Sequence, residues 1–173
     1  MSYRATMYNR PMSPHRLLAL LLFFASALLL AACDRREVEK VVKATDVQTG
    51  WYDAGLVDGQ NKLVPTVSFR LKNVSEEPIA RVQVLAVFRA VNDERAWGEQ
   101  LIRGIDADGL DAGVIGKTRV VRSPLGYTGR QPRAEMLKNK EFVDVKVNLL
   151  ARHGSQTWAK IGEFAVERKL LTK

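Results

Sequence analysis

The sequence predicts a mainly β domain, an antiparallel β-sandwich with one short helix, standing behind an apolar N-terminal segment. Three observations carry this. First, apolar and polar residues alternate with period two in two separate stretches, Val67, Phe69, Leu71 and Val143, Val145, Val147, Leu149, Ala151, which is the pattern of a strand with one buried face. Second, six or seven such segments follow one another at short spacing, divided by turns rich in Gly, Pro, Asn and Asp. Third, the apolar stretch from Leu17 to Ala32 follows Arg4, Arg10 and Arg16 and stops at Cys33.

At the N-terminus, a basic segment, an apolar stretch and small residues before a cleavage point are the three parts of a secretory signal. An uncleaved membrane anchor fits less well. The stretch has 16 residues, which at helical rise span about 24 Å against a hydrocarbon core of about 30 Å. The junction Leu30-Ala31-Ala32-Cys33 resembles the lipobox of bacterial lipoproteins. That resemblance implies that Cys33 is thioether-linked to diacylglycerol and becomes the first residue after cleavage. Cys33 is the only cysteine of the chain, so no disulfide competes for it. Asp34 resembles the residue that retains enterobacterial lipoproteins in the inner membrane, which implies the periplasmic face of that membrane rather than the outer one. Each buried methylene contributes about 0.8 kcal/mol, so two or three acyl chains hold a protein for its lifetime. The expected membrane partner is therefore reached through the lipid on Cys33, with residues 1–32 as signal peptide, 33–43 as a charged tether and 44–173 as the domain.

Composition bounds the rest. The 141 residues from Cys33 to Lys173 make one ordinary domain. They carry 24 Lys and Arg against 19 Asp and Glu, a net charge of +5. The excess gathers between Lys117 and Arg152, either as a basic face for anionic headgroups or as solvated charges on outer strand faces. Nucleic acid is not expected as a partner, because no recognition motif is present.

The elements follow in order. Val64 to Lys72 reads as a strand, with Pro65 suiting a strand end or edge because it has no N–H to donate. Asn73 to Pro78 is a polar turn. Ile79 to Val91 is a longer strand, apolar on both faces and so central. Ala96 to Ile102 and Lys117 to Arg122 are further strands, separated by a Gly- and Asp-rich loop over Gly104 to Gly116. Ser123 to Gln131 reads as a surface loop. Pro132 to Lys140 suits a short helix with Pro132 in its first turn. Phe142 to Arg152 and Thr157 to Arg168 form a C-terminal hairpin turned at His153-Gly154-Ser155-Gln156.

The run Leu71-Lys72-Asn73-Val74-Ser75-Glu76-Glu77-Pro78-Ile79-Ala80-Arg81-Val82-Gln83-Val84, with Gly109-Leu110-Asp111-Ala112-Gly113 after it, resembles the immunoglobulin-like modules of bacterial envelope proteins typified by the FxLYD domain. The match covers about 45 residues, the Phe-x-Leu-Tyr-Asp signature itself is missing, and the C-terminal hairpin lies outside it. The resemblance implies an immunoglobulin-like sandwich that binds or spaces without catalysis.

Candidate chemistry is sparse. Past the signal His153 is the one histidine, it sits at a turn, and no nucleophile motif accompanies it. Zinc lacks His and Cys ligands. Asp106-Ala107-Asp108-Gly109-Leu110-Asp111 could offer carboxylates to calcium, but its spacing misses the EF-hand and Asp and Gly are what a tight turn uses. No metal or cofactor is expected. Trp51, Tyr52, Trp97, Tyr127 and Trp158 could line a groove, with core or sheet-edge packing the competing role of Trp97 and Trp158. Tyr127 stands apart, in a glycine-flanked loop beside Arg122 and Arg130, as an interface anchor would. The expected function is a lipid-anchored, periplasm-facing binding module for another envelope protein. The alternative is a carrier or sensor of a small envelope ligand, a lipid or glycan, which a cavity lined by Phe88, Val145 and Trp158 would favour.

Overall fold

The computed structural model describes residues 37–93 and 96–171. The signal peptide, Leu30, Ala31, Ala32, Cys33 and Asp34 lie outside the described residues. Within them, helix α1 (Val38–Val41) is followed by β1 (Val42–Val57), β2 (Gln60–Asn73), β3 (Val82–Ala90), β4 (Gly98–Ile105), β5 (Arg119–Arg122) and β6 (Tyr127–Gly129). Helix α2 (Arg133–Lys138), β7 (Val145–His153) and β8 (Ala159–Ala165) complete it. One sheet runs β1-β2-β5, with β6 also paired to β2, and the other runs β4-β3-β7-β8. All strand pairs within the two sheets are antiparallel. The chain crosses between sheets after β2, β4 and β6, the Greek-key habit of immunoglobulin-like sandwiches.

Alternation places the core. Leu63, Val67, Phe69 and Leu71 of β2 face Val82, Val84, Ala86 and Phe88 of β3 and Val145, Val147, Leu149 and Ala151 of β7, all buried. The sandwich is laced at both edges. Arg119 Nε donates to the Gly104 carbonyl at 3.0 Å between β5 and β4. On the other side the Thr49 hydroxyl donates to the Ala165 carbonyl at 2.8 Å. There the C-terminal residues also join β1: Trp51 N–H donates to Lys169 O at 2.8 Å and Leu171 N–H to Trp51 O at 2.9 Å.

Four expectations change. Residues 38–43 belong to the domain rather than to a tether, because Val38 and Val41 are buried in the core and Val74 N–H donates to Val41 O at 2.8 Å. With α1 the described residues hold two short helices where one was expected. The long strand β1 was not anticipated at all. Pro65 lies inside β2, the central strand of its sheet, rather than at an end or edge. It is tolerated because its carbonyl, and so its missing N–H, faces the break between β5 and β6, where Ser123 N–H reaches that carbonyl at 2.9 Å.

Candidate functional site

The two ends of the sandwich differ in chemistry. At one end four rings pack in series. Trp51, fully buried, meets Phe142 edge-on with ring centroids 4.5 Å apart and Trp97 at 6.2 Å. Tyr127 meets Phe142 at 4.8 Å. Arg168 closes this end, donating from Nε to Asp144 Oδ1 at 2.7 Å and from Nη2 to the Phe142 carbonyl at 2.8 Å. That bond and the positive charge hold the Asp144 carboxyl below its ordinary pKa. Ala90, Ala96, Trp97, Tyr127 and Val143, with Asp93 at the rim, line an open groove of about 480 Å³ here.

The segment read as a Tyr127 loop is structured. Ser123 to Gly126 is a tight break, and Tyr127–Gly129 is β6, with Tyr127 paired to Leu63. A Cβ on Gly126 would collide with the Leu63 carbonyl, so the close approach of this break to β2 requires glycine. Tyr127 is half-buried and faces inward, as its partner Leu63 does. Arg122 points to the outer face, its guanidinium 3.7 Å from the centre of the Tyr52 ring. Arg130 is exposed. These three residues therefore do not converge on one interface; only Tyr127 belongs to the groove.

At the opposite end Asn73 stitches the loops. It is fully buried; its Oδ1 accepts from Ser75 N–H at 3.0 Å and Ser75 Oγ at 2.7 Å, and its Nδ2 donates to the carbonyls of Glu77 at 2.8 Å and Leu110 at 2.9 Å. The Asp106 to Asp111 loop is held by charge. Asp106 Oδ2 lies 2.8 Å from Lys117 Nζ and 3.0 Å from Arg119 Nη2, and these donors lower its pKa. Among the described residues no cluster of carboxylates and imidazoles forms a metal site. Beside this loop a pocket of about 560 Å³ is lined by Arg81, Gln83, Arg103, Asp106 and Arg152. The basic run from Lys117 to Arg152 is not one face. Lys117 and Arg119 go to Asp106, Arg122 to Tyr52, Arg133 to Asp53 and Lys138 to Glu135, and only Arg152 reaches the pocket.

Trp158 lies under the Arg152 guanidinium at 4.5 Å. Val145 is buried at the other end of β7, about 24 Å away at strand rise, and Phe88, paired with Val147, is buried about 17 Å away. The ring and the two core residues thus share no cavity. His153 ends β7, paired with Val82. No helix among the described residues is long and apolar enough to cross a membrane.

No family profile matches the chain, and no curated protein does. Among solved structures it is similar to the X-ray structure of Northeast Structural Genomics Consortium target SoR45, at 11% identity and a TM-score of 0.44, covering 75% of this chain and 89% of that one.

Proposed function

We propose that this chain is a lipid-anchored envelope protein on the periplasmic face of the inner membrane, and that it acts without catalysis as a binding adaptor for another envelope protein. The anchor rests on the lipobox-like Leu30-Ala31-Ala32-Cys33. The binding role is supported above all by the open groove of Ala90, Ala96, Trp97, Tyr127 and Val143 on a rigid core. It is apolar, surface-open and walled by an indole and a phenol, the side chains that anchor protein interfaces. It suits one or two apolar side chains of a partner. Carriage of a lipid or glycan has less support, because the residues that were to line its cavity lie apart.

The test has two parts. Cys33→Ser should abolish labelling by a fatty-acid analogue and leave the precursor unprocessed; labelled, processed mutant protein would refute the anchor. A photo-crosslinking residue at exposed Val143 should capture one envelope protein in the native host, and a Trp97→Ser variant should lose it. The same residue at exposed Leu56 should capture none. Equal capture from both positions would refute the groove as the adaptor site.

A further inference from the structure

The arginine pocket is unlike the other charged places on this surface. Cross-strand register sets Arg103, Gln83 and Arg152 side by side in one row on the outer face of the second sheet. Arg152 is preorganised: Gln83 Oε1 accepts from its Nε at 3.2 Å and its Nη2 at 2.5 Å, while the Trp158 ring lies 4.5 Å away. Arg81 enters from the loop before β3 with φ of 55°, a conformation that costs a non-glycine residue about 1–2 kcal/mol. Its N–H donates to Asp106 O at 3.0 Å, which holds it there. The pocket's one carboxylate, Asp106, is already matched by Lys117 and Arg119. Three guanidinium groups are thus left without a carboxylate among the described residues. Planar guanidinium forks suit phosphate oxygens better than any other common anion but carboxylate.

Two further observations select the kind of phosphate. The next row on the same face is Leu101, Leu85 and Leu150, with Leu101 48% exposed. An apolar row beside arginines and a tryptophan is the composition of surfaces that rest in a bilayer interface. The chain also enters the domain at this end, since Val42 pairs with Asn73, whose side chain bonds Leu110, which bridges to Ile79 beside Arg81. Four peptide units separate Glu37 from Cys33, a reach of at most about 14 Å.

We propose that the pocket of Arg81, Arg103 and Arg152 binds the phosphate of an anionic phospholipid headgroup, with Trp158 and the Leu101, Leu85, Leu150 row lying in the headgroup layer. The proximity of a membrane rests on the anchor reading above; the binding chemistry does not.

The test uses the full chain as purified from membranes, mixed with vesicles of phosphatidylcholine alone or with about 30% phosphatidylglycerol, each carrying a headgroup nitroxide quencher. Flotation reports attachment and tryptophan quenching reports the face. Quenching should be strong on anionic vesicles, weak on neutral ones and absent in Trp158→Phe. Arg152→Gln and Arg103→Gln should each weaken it about fivefold, and Arg130→Gln should leave it unchanged. Flotation with both vesicles but quenching indifferent to composition or to these arginines would overturn the proposal and leave the anchor standing. Flotation with anionic vesicles alone would support the proposal and count against the anchor; flotation with neither would overturn both. A phosphate-dependent rise in melting temperature without any response to vesicle composition would overturn the lipid assignment in favour of a soluble phosphate ester.

Discussion

The ring-packed end and the arginine end of the sandwich are assembled by opposite means. At the first, Trp51, Phe142, Tyr127 and Trp97 exclude water, and charge serves as a clasp, through Arg168 and Asp144. At the second, buried polar atoms of Asn73 hold the loops, and arginines beyond them are left facing solvent. The contrast teaches that an end rich in polar residues need not be a loose end. Asn73 meets its hydrogen-bonding capacity as fully as Trp51 meets its packing.

Substitutions can break this contrast in graded steps. Trp51→Ala should cost most, about 3–5 kcal/mol in denaturant unfolding, because it empties a fully buried site under two rings. A loss below 1 kcal/mol would mean that the rings are not what holds that end. Asn73→Ala should cost about 2–3 kcal/mol, since the four hydrogen bonds of a fully buried side chain go together. If it proves neutral, the arginine end is held by something other than its polar stitch. The smallest effect concerns the clasp. Asp144 has a lowered pKa in the folded chain, so it stabilises the fold above the unfolded value of about 3.9 and loses that contribution as pH falls through the folded value. Asp144→Asn should therefore melt earlier than the parent at neutral pH, and the two melting temperatures should converge in acid below about pH 4. A gap that persists in acid would place the role of Asp144 in packing rather than charge.

Much of the fold was legible where burial is one-sided. The alternation of β2 and of Val145 to Ala151 in β7 gave their inner faces, although Val143, expected on the same face, lies before β7 and is exposed; the Pro132 helix, the C-terminal hairpin and the sandwich class followed. β1 was hidden because register shifts between Thr45 and Gln48 and between Asp53 and Leu56 interrupt its period. The signal that would have exposed it is Asp58-Gly59, whose φ values of 50° and 73° are those of a two-residue hairpin turn. α1 was hidden among charges, although Val38 and Val41 stand at helical spacing. The candidate sites were harder. Tyr127 stands out in the sequence for its glycine-flanked setting, but its direction depends on pairing with Leu63, which no local pattern states. The arginine pocket was not legible at all, because Arg81, Arg103 and Arg152 come from separate stretches and meet only through the registers of β3 with β4 and β7.

The junction of Trp51 with residues 169–171 also bears on how the chain reaches this shape. Synthesis delivers β1 early and the segment that covers its free edge more than a hundred residues later. Until residues 169–171 emerge, the longest strand of the domain remains an open template for pairing with other chains. Closure of the sandwich is thereby a late event, and the interval before it, rather than the finished fold, is when this protein is most exposed to aggregation.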